Sequence, residues 1–464
     1  MRILGIVLAG GQGKRMKSKL YKVMHPVCGK PLVGHVVDVL DEIQADRKIV
    51  VVGHGAETVK AYLGDRAEYA LQAQQLGTGH AAIQAEALLE GDDGIAIITF
   101  GDTPLISGDS LKEMIRLHSE SGAAATVMSA KLDNPFGYGR IIRNADGDVV
   151  GIVEQKDCTE DQKRINEINT GICCFDKRKL FEALKQVKND NAQQEYYLTD
   201  VIGILNGQGD KVVGYITADA TEGMGINDRV QLSEAEQAMR ARINRRHMLN
   251  GVTIIDPSHT YIEKEVRIGS DTVVYPGTVL KGRTVIGEEC QIGPHADITD
   301  STVSDRVAIQ HSVLLEAEVG EETTVGPYAY LRPGARLGRQ VKIGDFVEIK
   351  NATLGEGTKV SHLSYVGDAQ VGKNVNVGCG AITVNYDGFN KNLTVIGDDA
   401  FIGSNVNLIA PVKIGEGAYV VAGSTITHEV EPGDVAIARE RQTNKPGYAE
   451  KLRQRFKANK AKKS

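Results

Sequence analysis

The strongest constraint on the fold is a six-residue repeat in the C-terminal half of the chain. A period of six cannot be the face of an α-helix, and it persists too long for a stack of unrelated hairpins. It predicts a β-helix of hexapeptide repeats, in which each repeat is one short strand and one turn. Glycine often follows the repeated position, as in Ile268-Gly269. The repeated aliphatic residues are Ile268, Val274, Leu280, Ile286, Ile292 and Ile298, then Val313, Val319, Val325, Leu331, Leu337, Ile343 and Ile349, and finally Ile396, Ile402, Leu408, Ile414, Val420 and Ile426.

Two irregularities interrupt this repeat. Its phase slips by one residue between Ile349 and Leu354, and residues 384–395 break it with an apparent loop. A β-helix can extrude a loop without losing its core, and such loops often carry function.

The N-terminal half has a different pattern. Apolar runs such as 49–52 and 95–98 alternate with helical segments such as 79–89, which predicts an α/β domain. Between Asp228 and Leu249, apolar residues spaced three or four apart predict a linker helix about 33 Å long. We therefore expect an α/β domain over 1–229, a linker helix over 230–250, a β-helix over 251–440 and a basic tail over 441–464. The apolar positions of the helix are Leu232, Ala235, Met239 and Ile243.

Length and composition indicate a globular chain with more than one core. The chain has 464 residues, of which 41% are hydrophobic and 25% charged. Its 54 Lys and Arg against 60 Asp and Glu give a net charge of −6, which excludes a general attraction to nucleic acid or anionic membranes. Six cysteines without a C-x-x-C pair predict reduced thiols and a cytoplasmic location. We recognise no signal peptide or membrane span.

A glycine-rich loop follows the first predicted strand, at Ala9-Gly10-Gly11-Gln12-Gly13. Glycines let backbone N–H groups approach a phosphate, and Arg15 and Lys22 can add charge-assisted hydrogen bonds. The loop matches neither the dinucleotide fingerprint, because Met16 stands at the third glycine position, nor the Walker pattern, because Leu8 stands at the first. Taken alone, the loop is weak evidence for phosphate binding, because glycine-rich loops are common and a generic tight turn is the alternative.

Asp102 follows the apolar run 95–98 at the same expected edge of the sheet. A carboxylate there suits Mg²⁺, a hard cation that takes one or two carboxylates together with substrate phosphates. An isolated Asp after a strand is more often a turn former.

The motifs of the N-terminal half, taken in order, resemble those of the sugar-phosphate nucleotidyltransferases. They are Leu8-Ala9-Gly10-Gly11-x-Gly13-x-Arg15, Lys22, Gln72, Gly77-Thr78, Gly101-Asp102, Gly137-Tyr138-Gly139-Arg140, Glu154, Asn169-Thr170-Gly171 and Asn227. Over its whole length the chain is similar to the bacterial family of bifunctional N-acetylglucosamine-1-phosphate uridylyltransferases and glucosamine-1-phosphate acetyltransferases. The resemblance implies a Rossmann-like domain and a left-handed parallel β-helix with three hexads per coil, about eight or nine coils in all.

The same resemblance implies roles for individual residues of the nucleotidyltransferase domain. The glycine loop with Arg15 and Lys22 would hold the triphosphate of UTP, and Gln72 with Gly77 and Thr78 would select uracil. Two departures, Lys14 in place of Thr and Phe100 in place of Tyr, each remove a hydroxyl without touching the metal ligands. The remaining implied contacts are Leu8, Ala9, Gly10 and Gly11 with the nucleotide, Asp102 and Asn227 with Mg²⁺ or Mn²⁺, and Gly139, Glu154, Asn169 and Asn227 with the amino sugar.

A second set of polar groups stands among the repetitive coils of the β-helix. Residues 18 apart stack in such a coil, so we expect Arg332, Lys350 and, allowing for the phase slip, His362 and Tyr365 to line one groove. Arg332 and Lys350 suit a sugar phosphate. His362 suits a general base that takes a proton from an amine attacking a thioester, although a lone His is more often a turn partner. We also expect Glu348 to orient His362.

For this second site the resemblance implies acetyl transfer. It assigns Tyr365 and Asn376 to the sugar phosphate, and a homotrimer to the assembly. Glucosamine-1-phosphate would be acetylated by acetyl-CoA first and uridylylated by UTP second, giving UDP-N-acetylglucosamine for the bacterial envelope. The residues assigned to acetyl-CoA are Asn385, Tyr386, Ser404, Ala422 and Arg439.

Two alternatives compete with the two-activity interpretation. The first is a single-activity nucleotidyltransferase with a structural or regulatory β-helix, against which His362 and Asn385-Tyr386 argue. The second is an inactive scaffold for protein contacts, against which four retained residues argue: Arg15, Lys22, Asp102 and Asn227. No groove that combines basic and aromatic residues supports nucleic-acid binding.

Overall fold

The computed structural model describes residues 1–462. Contacts within the chain divide it into two units. The first comprises Met1–Arg246 with Ile262–Glu265, and the second comprises His247–Tyr261 with the chain from Val266 onward. The first unit thus includes most of the helix that the sequence predicts as a linker.

The first unit is built on a nine-stranded mixed sheet with the order β11-β7-β10-β6-β1-β4-β5, to which β9 is joined through β8 and β8 through β10. The strands are β1 (Ile3–Ala9), β4 (Arg47–Val52), β5 (Glu68–Leu71), β6 (Ile95–Phe100), β7 (Ala125–Lys131), β8 (Arg140–Arg143), β9 (Val149–Val153), β10 (Glu167–Asp176) and β11 (Val212–Ile216), with a separate hairpin of β2 (Pro26–Val27) and β3 (Lys30–Pro31). The helices are α1 (Leu32–Glu42), α2 (Ala56–Leu63), α3 (Thr78–Ile83), α4 (Gly108–Ser121), α5 (Glu160–Lys163), α6 (Lys177–Leu184), α7 (Asp200–Gly207) and α8 (Arg229–Leu249).

The centre of this sheet is parallel, and its strands are nearly continuous apolar runs because helices cover both faces. Leu8 on β1 pairs with Val51 on β4 and with Phe100 on β6. Two clusters of buried aliphatic residues, one on each side of the sheet, form the core. The predicted α/β fold is confirmed, and the parallel strands end together at one edge, where the glycine loop and Asp102 follow them.

Helix α8 packs one face into the first unit. Ala235, Met239 and Ile243 are buried, as their spacing predicts, whereas Leu232 is only partly buried. The basic and acidic side chains between them lie on the other faces of the helix, which explains how a segment so rich in charge forms a helix on a protein core.

The second unit is a parallel β-helix, as predicted. One sheet has eleven strands: Thr253–Ile254, Val273–Val274, Gln291–Ile292, Ala308–Ile309, Thr324–Val325, Lys342–Asp345, Lys359–His362, Asn376–Val377, Phe401–Ile402, Tyr419–Val420 and Val435–Ala436. The other has seventeen: Tyr261–Ile262, Arg267–Ile268, Val279–Lys281, Val285–Ile286, Asp297–Thr299, Thr302–Val303, Val313–Leu315, Glu318–Val319, Tyr330–Leu331, Arg336–Leu337, Glu348–Leu354, Tyr365–Val371, Ile382–Val384, Thr394–Ile396, Asn407–Ile409, Val412–Ile414 and Thr425–Ile426.

The hexad periodicity follows from how each short strand is placed. In most two-residue strands the first side chain faces outward and the second faces the interior. The inward residues of successive coils stack in register, so that Leu280, Ile298, Leu314, Leu331 and Ile349 form one continuous buried column. Each coil is therefore stabilised mainly by the apolar area that it buries against its neighbours.

Both predicted irregularities are present. Leu331 pairs with Ile349, eighteen residues on, but Leu337 pairs with Leu354, seventeen residues on. Residues 385–393 form the loop between two strands. The two sheets together have 28 strands, and because alternate strands of the seventeen-stranded sheet pair with one another, that sheet covers two of the three faces. Three strands per coil then give about nine coils, as predicted. The first strand of the stack, Thr253–Ile254, and the last, Val435–Ala436, lie outside the hexads recognised in the sequence.

Most of the predicted basic tail is a helix, α9 (Tyr448–Ala461), with no buried residue. The last two positions of the predicted tail, Lys463 and Ser464, lie outside the described residues. Within residues 1–462, every helix is too short or too polar to cross a lipid bilayer.

The stacked column predicts a sharp difference between neighbouring positions on one strand. Leu314 is completely buried, whereas Val313 beside it is 39% exposed. We expect Leu314→Ala to lower the free energy of unfolding by about 2–5 kcal/mol, because it opens a cavity in the column. Val313→Ala is the matched control and is expected to cost less than about 1 kcal/mol. Urea denaturation measures both, and equal costs would contradict the placement of the column.

Candidate active sites

A cavity of about 340 Å³ opens at the edge of the first sheet where β1 and β6 end. Its walls bring together ten of the residues predicted for nucleotide or metal binding, although they come from distant parts of the sequence. These are Leu8, Ala9, Gly10, Gly11, Lys22, Gln72, Gly77, Thr78, Asp102 and Asn227. Parallel strands place such a ligand site at their carboxyl ends.

The glycine loop leaves space that a larger residue would fill. A Cβ on Gly10 would lie 2.7 Å from Oε1 of Gln72, and one on Gly13, whose φ is +61°, would lie 2.6 Å from Cβ of Lys22. Glycine at these two positions therefore lets the loop lie close to Gln72 and Lys22.

Lys22, Asp102 and Asn227 form one polar cluster inside the cavity. The Lys22 ammonium donates to the Asp102 carboxylate, and it also donates to Asn227 Oδ1 at 3.2 Å. Asn227 reaches Asp102 because the backbone N–H of Ile226 donates to the Asp102 carbonyl at 3.0 Å. The side chains of Lys22 and Asp102 are each only 14% exposed. The cluster thus holds one fixed cation and two hard oxygen donors.

Gln72 is held in one orientation. It is buried, and its Nε2 lies 3.2 Å from the Gly77 carbonyl and 3.1 Å from His80 Nδ1. Thr78 Oγ1 accepts from the backbone N–H of Leu198 at 3.0 Å. A Cβ on Gly77 would lie 2.6 Å from the Tyr196 carbonyl, so the 196–198 segment fixes this wall.

The residues predicted to contact the amino sugar are brought together near β8 and β10. Asn169 donates its backbone N–H to the Gly139 carbonyl at 2.8 Å. A Cβ on Gly139 would lie 3.5 Å from both the Asn169 Cβ and Glu154 Oε2. Burial raises the pKa of Glu154, against which a hydrogen bond from Thr199 acts.

Some residues of this domain differ from expectation or were missed. Arg15 lies on the short 3₁₀ turn Lys14–Met16, where it is exposed and does not line the cavity, and sequence spacing alone cannot decide this. Phe100 lines the cavity, with its ring against Gly171. Gln75 and Glu195 also line it, and neither stands in a motif that marks it.

On the β-helix, the predicted base and two predicted acetyl-CoA residues fall in one row. Val360, Val377, Ile402 and Val420 stack in register on the eleven-stranded sheet. Two positions further along each coil, the same register places His362, Cys379, Ser404 and Ala422 one above the other. The backbone N–H of Asn405 donates to the Cys379 carbonyl, and that of Gly423 donates to the Ser404 carbonyl, both at 2.8 Å. The coils therefore stay stacked beyond the ends of the strands.

Arg332 and Lys350 occupy adjacent coils, as predicted, but each has an acidic partner. Arg332 Nη1 donates to Glu348 Oε1 at 2.8 Å, and Lys350 Nζ donates to Asp368 at 3.0 and 3.1 Å. Asn385 donates to Asp368 and, at 3.3 Å, to Tyr365 Oη. Lys350, Asn385 and Tyr365 therefore belong to one hydrogen-bond network around Asp368, and the Arg332–Glu348 pair lies next to it, since Glu348 pairs with Tyr365 in the sheet.

Asp368 is the centre of that network and was not singled out in the sequence. Burial alone would raise the pKa of Asp368, but hydrogen bonds from Asn351, Lys350 and Asn385 outweigh burial and lower the pKa below its ordinary value. The carboxylate therefore stays ionised at neutral pH and fixes the position of the Lys350 ammonium. The spacing of Asp368, eighteen residues after Lys350, is the sequence feature that could have identified it.

Among residues 1–462, three predicted residues make none of the side-chain hydrogen bonds of that network. Asn376 belongs to the eleven-stranded sheet, where it pairs with Lys359 and Phe401. Tyr386 is on the extruded loop, with its ring 4.1 Å from Lys391 Nζ. Arg439 is exposed and lies near Ala422, the last residue of the His362 row: a Cβ on Gly423 would be 3.6 Å from Cδ of Arg439.

The expectation that Glu348 orients His362 is wrong. His362 Nδ1 lies 2.6 Å from Oδ1 of Asp345, whereas Glu348 is bound to Arg332. The reason is the register: Asp345 pairs directly with His362 on the eleven-stranded sheet, whereas Glu348 belongs to the other sheet and pairs with Tyr365.

Comparison with known proteins gives relatives that match nearly the whole chain. A family model described as nucleotidyl transferase matches residues 4–223, and one described as bacterial transferase hexapeptide (six repeats) matches residues 393–428. The chain is 56% identical to the bifunctional protein GlmU of Geobacillus sp. (strain WCH70), over 96% of this chain and 97% of that one. It is 56% identical to the protein of the same name from Brevibacillus brevis, over 97% and 98%, and 51% identical to that from Listeria innocua serovar 6a, over 96% and 98%.

Proposed function

The chain belongs to the GlmU family of bifunctional enzymes, and from that premise we propose that each of its two units carries one of two consecutive transfer reactions. The β-helix acetylates glucosamine-1-phosphate with acetyl-CoA. The α/β unit then transfers UMP from UTP to N-acetylglucosamine-1-phosphate and releases pyrophosphate. The observation that carries this proposal is the presence of two separate polar sites in one chain: the cluster of Lys22, Asp102 and Asn227 in its cavity, and the row headed by His362.

Uridylyl transfer needs positioning and charge neutralisation rather than a covalent nucleophile. The sugar-phosphate oxygen attacks the α-phosphorus of UTP, a new P–O bond forms, and the bond to pyrophosphate breaks. Lys22 supplies positive charge inside the cavity, and the loop from Ala9 to Gly13 supplies backbone N–H groups. Gln72, held by Gly77 and His80, presents fixed amide groups to the base. Glu154 and Asn169 hold the sugar.

Asp102 and Asn227 would hold Mg²⁺ or Mn²⁺ in this site. The fit rests on their donor chemistry, since a carboxylate and an amide oxygen that already face one cation are the hard oxygen ligands that Mg²⁺ prefers. When bound, the ion neutralises phosphate charge that Lys22 alone leaves uncompensated.

Acetyl transfer uses the second site. The amine nitrogen of glucosamine-1-phosphate attacks the thioester carbonyl, the C–N bond forms and the C–S bond breaks. His362 takes the proton that the amine loses, and the coenzyme leaves as the thiolate or thiol. Arg332, Lys350, Tyr365 and Asn376 bind the sugar phosphate. Asn385, Tyr386, Ser404, Ala422 and Arg439 bind acetyl-CoA, of which Ser404 and Ala422 share the row of His362.

We also propose a homotrimer in which neighbouring β-helices share the acetyl-transfer site. Within one chain, Asn376 lies on the eleven-stranded sheet whereas Lys350 lies on the seventeen-stranded sheet, which supports completion of the site by a second copy. The loop contains its own hydrogen bonds: the backbone N–H groups of Asn390 and Phe389 donate to the Asp387 carboxylate and lower its pKa to about 2. It exposes 92% of Phe389, an apolar ring at its tip. Cyclic packing of three copies leaves no open interface.

The six cysteines are free thiols, which supports the predicted cytoplasmic location. The substrates are small molecules, and the alternative of a β-helix without acetyl transfer leaves the ordered row of His362, Ser404 and Ala422 without a role.

Asp102→Ala is expected to abolish uridylyl transfer, because the cavity loses its carboxylate ligand for the divalent cation. Acetyl transfer is expected to remain at the wild-type rate, since Asp102 belongs to the other unit. Pyrophosphate release from UTP and N-acetylglucosamine-1-phosphate measures the first reaction, and thiol release from acetyl-CoA measures the second. Pyrophosphate release near the wild-type rate would refute the assignment of Asp102.

His362→Ala is expected to slow acetyl transfer by about 10²- to 10⁴-fold, the usual contribution of a positioned general base. Uridylyl transfer serves as the internal control and is expected to be unchanged. The measurement is thiol release at neutral pH with saturating glucosamine-1-phosphate. An unchanged rate would rule out His362 as the base.

Light scattering of the full chain is expected to give about three times the 50.0 kDa of one chain. Phe389→Asp places a charge at the tip of the loop, so we expect it to lower the mass, the rate of acetyl transfer, or both, without affecting uridylyl transfer. A monomeric wild-type protein with full acetyl-transfer activity would exclude the shared site.

A further inference from the structure

The contact between His362 and Asp345 is built into the backbone of the β-helix. Where the eleven-stranded sheet reaches this pair, its strands lengthen from two residues to four, Lys342–Asp345 and Lys359–His362, and both end on the contacting residues. A Cβ on Gly344 would lie 1.9 Å from the Ser361 carbonyl, so glycine is needed for this close approach. Backbone pairing, rather than chance contact between two surface side chains, therefore sets the 2.6 Å separation of Nδ1 and Oδ1.

The other charged or titratable groups near His362 do not contact its ring. Cys379 follows it in the row, Lys342 and Lys359 stand three residues earlier on the two paired strands, and Glu348 is turned toward Arg332. Within residues 1–462, Asp345 is the one hydrogen-bond partner of the imidazole, and it meets Nδ1 alone. The second ring nitrogen, Nε2, remains available to a substrate.

We propose that Asp345 is a positioning residue for acetyl transfer, which holds the proton of His362 on Nδ1 and so leaves Nε2 as the basic nitrogen. This inference rests on the proposed acetyl transfer. In the step itself, the amine proton moves to Nε2, the imidazole becomes an imidazolium with both nitrogens protonated, and Asp345 stays ionised beside it. The nearby negative charge stabilises the imidazolium as it forms.

The hydrogen bond from His362 lowers the pKa of Asp345, which keeps the carboxylate ionised at neutral pH. Both side chains are partly exposed, 59% for His362 and 38% for Asp345, and ion pairs this exposed contribute little to stability. A purely structural role is therefore a weak explanation for the contact. Selecting the tautomer of His362 requires only that a carboxylate oxygen lie within hydrogen-bond distance of Nδ1, as Oδ1 of Asp345 does.

The chain offers a matched control in a second exposed pair of the same type. His259 Nδ1 lies 2.8 Å from Asp256 Oδ2, remote in sequence from every residue assigned to either reaction. Asp256→Asn therefore makes the same chemical change in a similar setting. We expect it to alter neither reaction.

The test measures kcat, KM and the pH dependence of thiol release for the full-length wild type, Asp345→Asn, Asp345→Ala and Asp256→Asn. We expect both Asp345 variants to lower kcat about tenfold, with KM for glucosamine-1-phosphate and acetyl-CoA changed by less than about twofold. The acid limb of kcat/KM is expected to move to lower pH, because the imidazolium loses its neighbouring negative charge. Uridylyl transfer, measured in the same samples, reports whether each variant is folded.

Wild-type kcat with an unmoved acid limb in either Asp345 variant would overturn the proposal. A change in KM alone would also overturn it, since that would place Asp345 in binding. Equal loss in Asp256→Asn would show that the change is nonspecific and would count against it too. If the wild-type protein releases no thiol at any pH, the proposed acetyl transfer itself has failed, which is a distinct result.

Discussion

The register between successive coils is the constraint on which the second unit depends. Each coil must bring an aliphatic side chain over the one below, as in the column through Leu314 and Leu331. A coil is therefore sixteen to eighteen residues long across most of the stack. The same spacing determines which outward-facing side chains of adjacent coils lie next to one another. Asp345 meets His362 because the slip after Ile349 makes that coil seventeen residues long. An unslipped coil would have offered His362 a different neighbour.

In the first unit the corresponding constraint is the parallel pairing of β1 with β4 and β6. Because these strands run in the same direction, the segments that follow them meet at one edge of the sheet. Gly10 and Asp102 come together for that reason. The polar cluster then depends on one backbone hydrogen bond, from Ile226 to Asp102, which carries Asn227 into the cavity. The charge of Lys22 balances the carboxylate of Asp102 there.

Much of this structure could be predicted from the sequence, because the strongest signals are local and periodic. The hexads predicted the β-helix, and the break in the hexads at 384–395 predicted the loop. The motifs identified ten residues that line one cavity. Side-chain contacts that depend on the exact register were harder to predict. Glu348 lies close in sequence to Lys350, a residue of the expected groove, but it belongs to a different sheet from His362. Arg15 shows a further limit, since spacing placed it near the loop but could not show that its side chain is exposed.

The most direct test of the account measures both reactions in one preparation of the full chain. The purified protein is given glucosamine-1-phosphate and acetyl-CoA in one assay, and UTP, Mg²⁺ and N-acetylglucosamine-1-phosphate in another. The account predicts thiol release in the first and pyrophosphate release in the second. Pyrophosphate release without thiol release, from protein whose β-helix is folded, would contradict it and would leave the β-helix a structural or regulatory role.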